Sequence, residues 1–476
     1  MKTKHMIHSL SIVLIAILLT SCIPELNVRK KSQKMPEEYA QAKDTTNLSN
    51  VRWQEYFDDE NLIALIDTAL ANNQELNIFM REMEMLKNEV QIRKGEYLPS
   101  VDVGMGAGLD KPGEFTRAGA VEKNLPIHEG DEFPEPLSDF GFGAYANWEV
   151  DIWKKLRNAK KSALTRYLAS VEGRNFLVTN LISEIANAYY ELLALDKQLA
   201  IVQQNIAIQS NALEIVKVQK QSARVTELAV KRFEAQLAGT KSLVFEISQD
   251  IIEVENEINF LVGRFPQRVV RSSGGFDTLI SDSLQVGLPS QLLENRPDIR
   301  QAEMELAASK LDVKVAKARF YPRLEIGAGI GYQAFNAKYL LETPESLMYG
   351  IGGELMAPLV NRNAIKALYQ NSNARQIQAA IEYEQTILNA YVEVANQISN
   401  FQNLRQSYRF KLQQVQYLNE SIDISNNLFR NARADYIEVL LTQEEALESE
   451  FELVETKMAQ LQASVNIYRA LGGGWE

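Results

Sequence analysis

Tyr97-Leu98-Pro99-Ser100-Val101-Asp102-Val103-Gly104-Met105-Gly106-Ala107-Gly108 is answered later in the chain by Tyr321-Pro322-Arg323-Leu324-Glu325-Ile326-Gly327-Ala328-Gly329-Ile330-Gly331. With Pro99 laid on Pro322, Asp102 falls on Glu325, and Gly104, Gly106 and Gly108 fall on Gly327, Gly329 and Gly331. The chain is written twice. Each copy follows a helical stretch and leads into a second alternating segment, then a very long helical hairpin. Val101, Val103, Met105, Ala107 and Leu109 alternate with Ser100, Asp102 and the three glycines; Leu324, Ile326, Ala328 and Ile330 do the same in the repeat. The second segments follow suit. Phe140, Phe142, Ala144, Ala146, Trp148 and Val150 oppose Gly141, Gly143, Tyr145, Asn147, Glu149 and Asp151, and Tyr349, Ile351 and Leu355 oppose Gly350, Gly352 and Glu354, with Gly353 weakening the apolar side. A period of two with one apolar face and one small or charged face predicts four strands.

Each segment runs about 9 to 12 residues, the length that crosses a bilayer as a tilted strand. A soluble sandwich shows the same alternation. Here Tyr97, Phe140, Trp148, Trp153, Tyr321 and Tyr349 gather near the strand ends, where interfacial aromatics sit, and favour the bilayer. Four strands cannot close a barrel, and lipid tolerates no open sheet edge. Other copies of the chain must therefore complete the wall. Sequence physics leaves the copy number open; three copies would give twelve strands. The hairpin loops, roughly 110–138 and 333–348, are long, and the first is acidic and broken by Pro112, Pro126, Pro134 and Pro136. Long loops of such barrels face outward, with both chain ends on the periplasmic side.

Lys2 and Lys4 precede an apolar run from Ile7 to Leu19, followed by Thr20-Ser21-Cys22. A basic start with an apolar run this short predicts an export signal, not a spanning helix. Cys22 is the sole cysteine, which excludes an internal disulfide. Leu19-Thr20-Ser21-Cys22 resembles a bacterial lipobox, which implies acylation of Cys22 (palmitate included) and an envelope lipoprotein. The net charge of -12 disfavours nucleic acid as a partner.

From about Lys154 to Pro266 the chain has no proline, and Leu164, Leu168, Val171, Asn175, Val178, Ile182, Ile185, Tyr189 and Leu192 recur at alternating spacings of four and three. Ile387, Tyr391, Val394, Ile398 and Phe401 repeat the pattern; Ile247, Ile251, Val254 and Ile258, then Phe451, Val454, Met458, Leu461, Val465 and Tyr468, return along it. Such stripes pack helices side by side as coiled coils do. The turns are expected near Gln221-Ser222-Ala223 and Asn431-Ala432-Arg433. A descending helix from Lys154 to about Lys220 would span roughly 100 Å, and its return arm to Gly263 roughly 60 Å. A helical piece from about Asn61 to Glu96 adds roughly 50 to 55 Å, so the two shorter pieces together match the long one.

Leu288-Pro289-Ser290-Gln291-Leu292-Leu293-Glu294-Asn295-Arg296-Pro297-Asp298-Ile299-Arg300-Gln301-Ala302-Glu303 resembles the signature that opens the second repeat of TolC-type outer membrane factors, in the lipoprotein branch called the NodT family. Phe320-Tyr321-Pro322, Trp148-Glu149-Val150-Asp151-Ile152-Trp153 and Leu471-Gly472-Gly473-Gly474-Trp475 resemble further motifs of that family, so the similarity covers essentially the whole mature chain. The resemblance implies a membrane β-barrel plus an α-helical barrel: a homotrimeric tube with 12 strands and a periplasmic coiled-coil cylinder. It implies residence in the outer membrane, lipid-anchored at Cys22, as the passive exit duct of a tripartite efflux or export system. The implied partners are a periplasmic adaptor and an inner membrane pump, commonly of the resistance-nodulation-division class. The expected organisation is a signal at 1–21, an anchor and N-terminal segment at 22–59, a first repeat at 60–265, a linker at 266–287, a second repeat at 288–471 and a tail at 472–476.

The signature residues Arg296, Pro297 and Asp298 read as structural: Pro297 suits a helix start, Asp298 the positive end of its dipole, and Arg296 and Arg300 either water or nearby carboxylates. The family narrows its periplasmic tip and often has glycine at the two tip turns, followed by an acid. Ser222 and Ala432 stand at the expected glycine positions, and Asp435 or Ala434 at the acidic one. Mixed charge at both tips makes Arg224, Glu227, Arg433 and Asp435 the candidate gate, holding neighbouring hairpins together; the alternative is a solvated turn. Inner-face Asp102, Glu149, Glu325 and Glu354 would make the upper lumen acidic.

No catalytic, cofactor or metal site is expected. His5 and His8 leave with the signal, which leaves His128 alone, in a loop. The glycines at 104, 106 and 108 keep a strand period, unlike a nucleotide loop. Met80, Met83 and Met85 read as packing or surface residues. The competing class is a structural or adhesive envelope lipoprotein, which would conduct nothing.

Overall fold

The computed structural model describes Pro24, Leu26, Pro36, Glu38, Tyr39, Phe276 and residues 51–127, 130–272, 286–431 and 433–475. Cys22, His128 and Ala432 lie outside them. In chain order the elements are α1 (Trp53–Tyr56), α2 (Glu60–Asn72), α3 (Gln74–Tyr97), β1 (Ser100–Asp110), α4 (Arg117–Asn124), β2 (Leu137–Val150), α5 (Lys155–Gln221), α6 (Glu227–Val262), α7 (Leu292–Asn295), α8 (Pro297–Ala318), β3 (Arg323–Ala334), β4 (Leu347–Met356), α9 (Asn363–Arg430) and α10 (Tyr436–Ala470). Among the described residues no helix is long and apolar enough to cross a membrane.

The four expected strands form one antiparallel sheet in the order β1-β2-β3-β4. Its register joins the two repeats at β2–β3, where Gly143 faces Gly331 and Glu149 faces Glu325. Gly104 faces Gly143, Gly329 faces Gly350, and Glu325 faces Glu354. The glycines and carboxylates named from sequence therefore share one face, except Gly353, which lies opposite Ile326 on the apolar side. The other face is apolar and open: Val103 is 84% exposed, Met105 88% and Ile351 82%. Glycine is required where β2 meets β3. A Cβ on Gly143 would lie 2.8 Å from the Ile330 carbonyl oxygen, and one on Gly331 would lie 2.7 Å from Gly143 Cα.

The aromatics at the strand ends are tied to backbone. Trp148 Nε1 donates to the Tyr97 carbonyl at 3.1 Å, and Trp153 Nε1 to that of Pro322 at 2.7 Å. Trp153 also stacks on Tyr321 at 4.7 Å. Asp151, just past β2, starts α5: its carboxylate accepts from the Leu156 and Arg157 amides at 3.0 and 2.9 Å. That capping explains the Trp148-to-Trp153 motif.

Two expectations need correction. The piece from Asn61 to Glu96 is two helices, because Asn73 leaves the helix to donate to the Leu261 carbonyl and accept from the Leu76 amide. The first long loop, for which the sequence suggested no helix, carries α4, which Thr116 caps by accepting from the Gly119 amide.

The chain forms two compact units, each drawn from both repeats: one includes Glu84–Tyr167 and Met304–Ala380, the other Leu168–Glu303 and Ile381–Glu476 with residues up to Met83. The first holds the sheet and the helix ends that adjoin it. The second has its main core where α2, α5, α6 and α10 meet around Ile66, Ile182, Ile185, Tyr189, Ile258 and Tyr468. All of these but Ile66 are residues the four-and-three spacing selected.

Candidate functional site

At one end of the second unit the two hairpin tips share an apolar cluster. Leu213, Val216, Ala229, Val230 and Phe233 from the first hairpin pack with Phe429, Val439 and Leu440 from the second. Val225 and Tyr436 pack against this cluster from the turns themselves. The candidate gate residues flank those two side chains in the sequence, and the contact between the tips is apolar.

The first turn is built as a left-handed helix end. The Arg224 amide donates to the Gln219 carbonyl and the Ala223 amide to that of Lys220, both at 2.9 Å. This pairing needs a residue with positive φ. That residue is Ala223, at 56°, rather than Ser222, which corrects the expected glycine position by one. The second turn repeats the bond, with the Arg433 amide donating to the Leu428 carbonyl at 2.9 Å.

Glu227 pairs with Lys220 across the base of its own turn. Arg224, Arg433 and Asp435 carry no ion pair among the described residues, and Asp435 sits at the α10 N-cap without a side-chain capping bond. Lys220 is the tip residue that sequence reasoning missed. It lies seven residues before Glu227, a separation that brings side chains together only once the turn is known.

The signature residues build a second polar centre. α8 starts at Pro297, and the Asp298 carboxylate accepts from the Ile299 amide at 2.9 Å. Arg296 is buried, not solvated. It grips Asp298 in fork geometry at 3.0 and 2.7 Å, reaches Glu393 on α9 at 2.7 Å, and donates to the Ala470 carbonyl at the end of α10 at 2.8 Å. Burial works against its charge, but Asp298 and Glu393 outweigh it and hold the guanidinium pKa above its ordinary value. Arg469 adds a bond to the other Glu393 oxygen at 2.6 Å. Arg300 pairs with buried Glu172 at 2.6 Å and lies over the Trp475 ring. The glycine-rich terminus is there for space: Gly472, at φ 90°, has the Asn295 carbonyl oxygen 2.6 Å from where a Cβ would stand. This centre joins chain segments.

The charged face of the sheet is the third element. Glu149, Glu325 and Glu354 stand side by side across β2, β3 and β4. Glu149 is met by Lys155 at 2.7 Å and Glu325 by Arg323 at 3.0 Å.

Comparison with known proteins places this geometry. The family model described as outer membrane efflux protein matches residues 65–264 and 288–473. The pyoverdine export outer membrane protein OpmQ of Pseudomonas aeruginosa is 28% identical over 432 residues, 90% of this chain and 89% of that one. The cation efflux system protein CusC of Escherichia coli is 24% identical over 467 residues, 97% of this chain and 98% of that one. Among solved structures, CusC superposes with a TM-score of 0.83 at 21% identity, covering 95% of this chain and all of that one. The open-state MtrE outer membrane channel of Neisseria gonorrhoeae gives 0.83 at 19% identity, covering 96% and 99%. A duplicated hairpin sheet, long paired helices and a match spanning both repeats lead to one conclusion: the chain belongs to the outer membrane efflux protein family, and it is an outer membrane exit duct.

Proposed function

We propose that three copies of this chain close a twelve-stranded barrel in the outer membrane and continue as a helical barrel in the periplasm. In this reading the trimer passively conducts substrates delivered by an inner membrane pump, of the resistance-nodulation-division type, through a periplasmic adaptor. The carrying observation is the unfinished sheet: among the described residues the outer edges of β1 and β4 have no partner strand in one chain, while its apolar face is open. Lipid admits such a sheet only when identical neighbours complete it.

The helices support the same reading. Ile78, Met85 and Ile92 on α3, and Phe410, Tyr417 and Ile424 on α9, recur every seven residues and are exposed. A helix that buries one heptad stripe inside its own chain and exposes another is built for a second helical neighbour. Cys22 would carry the lipid anchor, and Arg224, Glu227, Arg433 and Asp435 would meet residues of adjacent hairpins at the tip. The glutamates across the sheet would favour cations over anions in the lumen.

Light scattering of the detergent-solubilised protein and conductance in planar bilayers test the proposal together. A trimer that opens discrete channels is expected. A monomer that leaves bilayers sealed would overturn it.

A further inference from the structure

Three of the four long helix ends beside the sheet are basic, in a chain whose net charge is -12; the fourth, the end of α3, balances Glu84, Glu89 and Glu96 against Lys87, Arg93 and Lys94. Residues 154–167 hold six Lys or Arg and no carboxylate; 306–319 hold four against Asp312 alone; 359–380 hold three and none. All three stretches adjoin strand ends in the first unit. Within them lies a cavity of about 390 Å³ between α3, α5, α8 and α9, lined by Arg93, Arg166, Arg319 and Arg375 together with Glu89 and Asp312. The two carboxylates are already used. Glu89 meets Arg93 at 2.8 Å, and Asp312 meets Arg166. Arg319 and Arg375 carry no ion pair among the described residues, so the cavity keeps two uncompensated cations. The remaining wall is partly apolar, with Leu86, Val315 and Leu368.

Arg319 lies four residues before β3, and it also lines a second cavity beside the stacked Trp153 and Tyr321. At 1.5 Å per helical residue, the basic cavity begins within roughly 5 to 10 Å of the strand ends, about the thickness of a headgroup layer. Long arginine side chains reach across such a distance.

We propose that this cavity holds the phosphate of an anionic phospholipid headgroup from the periplasmic leaflet, with the apolar wall covering the glycerol end. The inference rests on the sheet being the membrane wall. A phosphodiester, with one negative charge and two non-bridging oxygens, can accept hydrogen bonds from both guanidiniums. A basic collar at a membrane surface adds about fivefold in partitioning for each residue that reaches anionic lipid.

Native mass spectrometry of the detergent-solubilised full assembly tests it, with dioleoyl phosphatidylglycerol set against dioleoyl phosphatidylcholine. The wild type is expected to retain the anionic lipid by on the order of tenfold. The double variant Arg319→Gln, Arg375→Gln should retain both lipids equally, whereas Arg319→Lys with Arg375→Lys should keep the preference. Equal retention by the wild type, or an undiminished preference in the glutamine variant, would overturn the proposal. Displacement of the lipid by an equal concentration of inorganic phosphate would overturn the lipid as the source. Single-channel conductance is measured on the same samples: a variant that conducts like the wild type but loses lipid preference separates this site from the duct itself.

Discussion

Arg296 shows how one side chain fixes a junction. It holds Asp298 at the start of α8, Glu393 on α9 and the carbonyl end of α10 at Ala470. Removing one partner of a buried charge cluster typically costs about 3 to 5 kcal/mol, because the others stay buried and unpaired. Arg296→Ala is therefore expected to lower the thermal midpoint sharply, and Arg296→Lys to recover only part, since an ammonium cannot keep the fork on Asp298 while reaching Glu393 and Ala470. Asp151 offers a pH-dependent case. Burial alone would raise its pKa, but the Arg157 and Leu156 amides and the Arg157 side chain outweigh this and hold it below the ordinary carboxylate value. A depressed carboxylate stabilises the fold above its unfolded pKa, and that contribution is lost as pH falls through the folded value. Asp151→Asn should thus cost about 1 to 3 kcal/mol at neutral pH, and the gap between variant and wild-type melting curves should narrow on acidification.

At the scale of elements, the glycines divide into those the sheet needs and those it tolerates. A methyl on Gly331 meets the β2 backbone at Phe142 and Gly143, whereas one on Gly106 meets nothing within 4 Å. Gly331→Ala should reduce the yield of heat-stable assembly in gel-shift assays, and Gly106→Ala should leave it unchanged. The first tip turn predicts a gain. Ala223 adopts a left-handed conformation that costs a non-glycine residue about 1 kcal/mol, so Ala223→Gly should raise the thermal midpoint without altering conductance. The strands were legible in the sequence because alternation and glycine spacing survive in both copies, and the long helices because their stripes run uninterrupted. Asn73 was not legible as a break. Its cost is met by a bond to Leu261, far along the chain, which no local pattern announces. The partners of Arg296 escaped for the same reason: Glu393 and Ala470 come from helices that meet it only in the folded chain.

For the whole molecule, the exposed heptad rows make a direct claim about assembly. Tyr417→Asp with Ile424→Asp places charge on a stripe that the proposed assembly covers with an apolar neighbour, at positions 66% and 58% exposed in the single chain. The variant chain should fold, since neither side chain is in its own core, yet light scattering should find it dispersed into smaller species. The unfinished sheet carries a last consequence, one for the journey rather than the destination. A lone subunit released into an aqueous compartment would display two strand borders seeking hydrogen bonds and a greasy panel facing water. In the proposed assembly such a polypeptide needs an escort until the other copies arrive, and its biogenesis should depend on holdase chaperones far more than that of a barrel able to seal itself.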